Sequence, residues 1–234
     1  MSKVFAPKGR RGLPDQLINF GRHLVYSEGT RTEPYYVQNI KECIAQKYKV
    51  NANDIEIINA NKKGKSFNTV TLANYAFKDV SERLKSGEII DHVWIFYDKD
   101  SFPKANYDNA FNKINKLNVT INSEGIPCDN KGIAWHSLPS NECFELFLLL
   151  YFHYETASMS RSLYEGKINE AVRKKDPSFS YSKNLINIHS KLISAGGSTT
   201  NALKFGKKLS RDNRINNPSS KAYEFLEYFA KYFS

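Results

Sequence analysis

Long hydrophobic runs are missing from this 234-residue sequence. No stretch of 18 apolar residues occurs, so no segment offers itself as a membrane-spanning helix. Cysteine is scarce as well: Cys43, Cys128 and Cys143 are scattered, odd in number and form no CxxC. That argues against a disulfide framework or a structural zinc site. Cys43 and Cys143 fall inside apolar helical patterns and are expected to be buried thiols. No GxxxxGK[ST] is present, which argues against a self-contained P-loop ATPase. No glycine-flanked serine elbow or Cys/His pair speaks for acyl transfer. Internal repeats and low-complexity segments are absent too. The first residues are basic and rich in proline and glycine, without the apolar segment of a secretion signal. The expectation is a soluble, cytoplasmic protein with no membrane partner.

Acidic residues are also in short supply, 24 against 34 basic ones, giving a net charge of +10. The excess is uneven. Residues 161–214 hold twelve basic and four acidic side chains, an excess of eight. Lys3, Lys8, Arg10, Arg11 and Arg22 add to it near the start. Such asymmetry favours a polyanionic partner, nucleic acid first, with an ordinary solvated basic surface as the equal alternative on charge alone. Arg10, Arg11, Arg22, Lys174, Lys175, Lys207, Lys208 and Arg211 are the candidate contacts. With 41% apolar and 25% charged residues the composition is that of a globular protein able to bury a large core.

Three segments are expected. Residues 1–20, broken by Pro7, Gly9, Gly12 and Pro14, read as a basic arm. Residues 21–155 alternate strand and helix. Short apolar runs at 23–26, 55–60, 91–100 and 131–139 are the strands. Helical patterns follow from Pro34 through Tyr36, Val37, Ile40 and Ile44, and at 69–86, 103–117 and 140–154. Pro34 suits a first helical turn. The strand runs are continuously apolar rather than alternating, which indicates a parallel sheet covered on both faces. Residues 156–234 read as basic helices near 160–175, 183–195, 199–211 and 219–233, with no strand beyond residue 155. The fold expectation is α/β: a small parallel sheet of Rossmann-like type flanked by helices, with a basic helical C-terminal extension.

Ligands of open α/β sheets bind beyond the carboxyl ends of the strands. Acidic residues collect at three such ends. Glu28 follows the first strand, Asp98 and Asp100 the third, and Glu142 and Glu145 the fourth. Asp98 and Asp100 point the same way in an extended segment and repel unless a cation sits between them. A DxD with a distant glutamate suits a hard, oxygen-liganded cation such as Mg²⁺, although Asp also starts turns. On the helix expected over 140–154, Asn141 and Glu145 are four apart and share a face. Glu142 would then be a first-turn acid favoured by the helix dipole. Glu145 has apolar neighbours on every side and requires a metal or a basic side chain. Glu33 is a second acidic ligand or part of the helix start. Arg31 contacts phosphate or pairs with Glu28, and Gly29 frees the backbone to turn. His136 reads as packed rather than catalytic. Gly196–Thr199 reads as a loop and helix cap suited to phosphate.

Together, "VYSEGTRTEPYYV", "VWIFYDKDSF" and "LPSNECFELFLLLYF", with "NPSSKAYEFLEYF" near the end, resemble the RloB family over nearly the whole chain after residue 20. The RloB family looks like a branch of the Toprim superfamily of topoisomerases, primases and overcoming-lysogenization-defect nucleases. The resemblance implies a Toprim-like core in which Glu28 is the first-strand glutamate, a proton-transfer group or metal ligand. It implies that Asp98 and Asp100 bind Mg²⁺ (or Mn²⁺), and that Asn141, Glu142 and Glu145 form the family's "SNxCFE" element. It also implies a metal-dependent nuclease acting on DNA or RNA, tRNA included. The expected setting is anti-phage, abortive-infection defence beside an ATPase partner. The alternative is a non-catalytic nucleic-acid-binding or regulatory subunit of an ATPase-containing defence complex.

Overall fold

The computed structural model describes residues 17–51, 54–58, 69–99, 104–213 and 216–233; Arg10, Arg11 and Asp100 lie outside the described residues. The first half runs β1 (His23–Ser27), α1 (Thr32–Ala45), β2 (Ile55–Ile58), α2 (Thr69–Lys85), β3 (His92–Asp98) and α3 (Lys104–Asn115). A two-stranded hairpin follows, β4 (Thr120–Ile121) and β5 (Pro127–Cys128), and then β6 (Ala134–Asn141). The remainder is α4 (Glu145–Leu149), α5 (Arg161–Arg173), α6 (Ile188–Ser194), α7 (Thr199–Asn213), β7 (Ser219–Ser220) and α8 (Tyr223–Ala230).

The main sheet has the order β2-β1-β3-β6-β7, and β2, β1, β3 and β6 are parallel. This is the expected α/β architecture in a Rossmann-like arrangement. Every residue of β1 and β3 is buried, because helices cover both faces. The period of two divides the strand side chains between two cores. Leu24, Tyr26, Val93, Ile95 and Tyr97 pack with α2 and α3. Val25, Trp94, Phe96 and Leu138 pack with α1 and the C-terminal helices, where Phe225 meets Trp94 at a ring distance of 5.3 Å. No helix among the described residues is long and apolar enough to cross a membrane.

Two expectations are corrected. A strand does occur beyond residue 155: β7 pairs antiparallel with the end of β6, Ser140 against Ser220 and Asn141 against Ser219. Two serines carry no apolar signal, so only the tertiary pairing reveals this edge. The long apolar helix expected over 140–154 is also shorter. Ser140 and Asn141 extend β6, and α4 spans only Glu145–Leu149 before the chain turns. All five residues of α4 are buried, and a segment apolar all round has no period to mark where it is helical.

At the amino ends of the strands lie His23, His92 and His136. Trp94 Nε1 donates to His23 Nδ1 (3.0 Å), so His23 Nε2 carries the proton and donates to the Phe20 carbonyl (2.8 Å). His136 stacks on Trp94 at 3.6 Å and hydrogen-bonds His92 (3.0 Å), the packed role expected for it. Burial holds all three imidazoles neutral: His92 is lowered to about 4, and His23 and His136 fall well below their ordinary value. The same end of the sheet carries an ion-pair network. Arg83 reaches Glu56 (2.8 Å), Asp79 (2.9 Å) and Glu88 (3.2 Å), and Arg22 bridges Glu56 and Glu88.

Candidate functional site

Because four strands are parallel, their carboxyl ends share one edge, and most of the sequence-selected acids stand there. Glu28 follows β1 directly. Its N–H donates to the Phe96 carbonyl (3.1 Å), which prolongs the β1–β3 ladder and fixes the chain beside the end of β3. Asp98 is the last residue of β3 and is buried. Across the next pairing, the Lys99 N–H donates to the Ser140 carbonyl (2.8 Å), and Ser140 Oγ and Ser220 Oγ are 3.0 Å apart. The "PSN" of one quoted segment and the "PSS" of another, 80 residues on, are therefore neighbouring strands at the site.

Pro34 falls in the first turn of α1 as expected, and Glu33 lies just before it, buried. The reason for Gly29 is not the expected turn freedom: its φ is not positive. A Cβ at this position would collide with the Glu33 carboxylate, so glycine permits the close approach. The Glu33 carboxyl is pushed up to about 7, first by burial and then by the neighbouring Glu145 carboxylate. Its own backbone N–H, Arg161 and Lys183 act in the opposite sense. No ion pair reaches Glu33 among the described residues. Arg31 is exposed at the start of the helix, and its carbonyl accepts from the Tyr35 N–H (2.8 Å).

Glu145 has only 2% of its surface exposed. Its surroundings answer the sequence argument that it requires a cation. Arg161 Nη2 donates to Asp98 Oδ2 (2.6 Å), and Arg161 Nε stands 3.4 Å from Glu145 Oε2. The Tyr181 hydroxyl donates to Glu145 Oε1 (3.0 Å). Glu145 Oε2 itself is buried and accepts no hydrogen bond. Burial and the Glu145 carboxylate raise both the Tyr181 hydroxyl and the Cys143 thiol. Cys143 is the buried thiol expected, whereas Cys43 is half-buried.

The helical placement of Asn141 and Glu142 is corrected. Asn141 ends β6 and shares no helix face with Glu145. Glu142 precedes α4 rather than sitting in its first turn; Glu145 is the first-turn acid. The chain passes between β6 and α4 through a cis Asn141–Glu142 peptide.

Sequence reasoning does not single out Arg161 or Tyr181. Arg161 is one of twelve basic residues in a basic stretch, and nothing local distinguishes it. Its selection is tertiary, because α5 packs against α4. Among the described residues, no group of three or more His, Cys, Asp or Glu side chains is placed to hold a metal ion.

The basic candidates divide. Arg22 belongs to the ion-pair network at the opposite edge of the sheet. Lys174 and Lys175 are exposed and, with Lys167 and His153, line a cleft of about 540 Å³ between α5 and the turn into α7. Gly196 of the GGST loop lines the same cleft. On α7, Lys207 pairs with Glu227, Lys208 lies 4.2 Å over the Tyr154 ring, and Arg211 is beside Asp212.

A family model described as RloB-like protein matches residues 23–229, most of the chain. No curated protein and no solved structure matches it. The chain belongs to the RloB-like family.

Proposed function

From membership of the RloB-like family and the acids at the strand ends, we propose a Mg²⁺- or Mn²⁺-dependent nuclease that acts as an effector of anti-phage defence. One observation carries the reading. Asp98 and Glu145, both buried, converge on Arg161, and Glu145 Oε2 accepts no hydrogen bond. A buried carboxylate oxygen that accepts no hydrogen bond fits a hard cation, which takes oxygen ligands. Glu28 at the adjacent strand end and Asp100, two residues past Asp98, complete the donor set that would hold the ion.

A divalent ion bound there supplies Lewis-acid stabilisation of a phosphoryl oxygen and a water of lowered pKa. The chain's own residues do the rest. Asp98 and Glu145 are held by burial, and Glu145 also by Tyr181, so they are preorganised rather than recruited. Glu28 serves as ligand or proton acceptor. Lys174, Lys175 and the α7 lysines bind the nucleic-acid backbone by charge, which makes affinity fall steeply with salt. An ATPase partner supplies the trigger in this reading.

Incubation of DNA, RNA and tRNA with Mg²⁺ or Mn²⁺, comparing the wild type with Asp98→Ala, tests it. Cleavage by the wild type alone is expected. Equal cleavage by both proteins would remove the site from the chemistry. Where the chain alone is silent, the assay is repeated with the co-purified ATPase.

The pairing of Arg161 with Asp98 and Glu145 favours a second reading, a nucleic-acid-binding or regulatory module of an ATPase-containing complex. There the acids are structural. Defence that survives loss of Glu28 and Asp98 would establish that alternative.

A further inference from the structure

We propose that Arg161 is the resident counter-cation of the strand-end carboxylates, and that a divalent cation enters by displacing it. This rests on the metal-dependent reading above and concerns how that site is loaded.

The geometry separates a fixed part from a movable one. The Asp98 and Glu145 side chains are 10% and 2% exposed and belong to β3 and a buried helix, so they hold their places. The Arg161 side chain is 31% exposed. Arg161 is the first residue of α5, and no side chain caps the start of that helix. Its long stem allows the guanidinium to leave while the backbone stays.

Charge gives the reason for it to leave. Two buried carboxylates share one guanidinium, with the Glu33 carboxyl beside them. A doubly charged ion compensates them better than a single guanidinium does. The two cations repel if both stay within a few ångströms in a site of low dielectric. Removing the guanidinium alone would leave buried charge uncompensated. Arg161 therefore stabilises the fold in the absence of metal and competes with metal for the same oxygens.

Calorimetric titration of Mn²⁺ and Mg²⁺ into the full chain tests this, paired with thermal melts at fixed metal concentration. The variants are Arg161→Met, Arg161→Lys and Asp98→Ala. Loss of an internal competitor is expected to tighten Mn²⁺ binding by about tenfold or more in Arg161→Met. The same variant should melt lower than wild type without metal and gain more from metal than wild type does. Arg161→Lys keeps a cation and should bind metal much as wild type does. Unchanged or weaker binding in Arg161→Met, with binding lost in Asp98→Ala, overturns displacement and leaves the metal site standing. Absence of binding in wild type and in both Arg161 variants overturns displacement and metal reading together. If Arg161→Met does not fold, Arg161→Gln, neutral but still a hydrogen-bond donor, is judged by the same criteria.

Discussion

The two ends of one parallel sheet carry charge in opposite ways. At the amino end, Arg22 and Arg83 share Glu56 and Glu88, and Arg83 also reaches Asp79; these acidic side chains are 22–36% exposed. Each guanidinium reaches at least two carboxylates, and water screens what remains. At the carboxyl end, Asp98 and Glu145 share Arg161, are 10% and 2% exposed, and have buried Glu33 beside them. The residue types are the same; exposure to solvent is not. Paired, partly hydrated charge holds a fold together. Buried charge that water does not screen costs stability, and its persistence suits a ligand that binds the same carboxylates.

The largest expected effect tests that contrast directly. Under the proposed function, Asp98→Ala lowers cleavage by about a hundredfold or more. Arg83→Ala, at the other end, leaves the rate within about twofold, since it touches no reacting group. Comparable losses in the two variants, measured on equally folded protein, would erase the distinction between the edges.

Next in size is the stability of the amino end. Arg83 donates to Asp79, Glu56 and Glu88. Truncation to alanine strips a charged donor from three acceptors at once and should cost about 2–3 kcal/mol. Urea midpoints at neutral pH measure it. A change below about 0.5 kcal/mol would show that these pairs count no more than exposed ones.

How much of each end was legible follows from what kind of signal each residue carries. Strands β1 and β3 announced themselves through unbroken apolar runs, and α1 through Tyr36, Val37, Ile40 and Ile44, all fully buried. The acids were legible because a carboxylate at the exit of a buried strand is conspicuous. Their partner was not. Arg161 is 63 residues from Asp98, and packing rather than spacing chose it. The extent of α4 is not marked in the sequence, because Phe144, Leu146, Phe147, Leu148 and Leu149 are apolar without a period. The amino-end network was invisible for the same reason as Arg161: Arg22, Glu56, Arg83 and Glu88 come from separated segments.

Acidity gives the third effect, close to the second in size. His92 carries an imidazole lowered to about 4 by burial. A base with a depressed folded pKa contributes stability that is complete above its unfolded value, about 6.5. That contribution is lost as pH falls, because the unfolded chain takes up the proton first. For His92 alone the loss reaches about 2 kcal/mol by pH 5. Denaturation between pH 7 and 4.5 should show it, with a shallower slope in His92→Asn. A wild type equally stable at pH 5 and pH 7 would contradict the burial of these rings as neutral bases.

The smallest effect extends the same rule to the basic surface. Lys207 is half exposed and already paired with Glu227, so Lys207→Ala should change stability by no more than about 0.5 kcal/mol. Lys174 and Lys175, in contrast, face the cleft between α5 and the α7 turn, and no ion pair reaches them among the described residues. Charge not already neutralised within the protein is free to release counterions from a nucleic-acid backbone. Under the proposed function, replacing both with alanine should therefore flatten the salt dependence of nucleic-acid binding by about two units of log–log slope, one for each phosphate no longer neutralised. Lys207→Ala should flatten it by less, because binding must first break the pair with Glu227. Equal changes in slope would mean that pairing within the protein does not decide which lysines meet the nucleic acid. No change in either would move the nucleic-acid path off this face altogether.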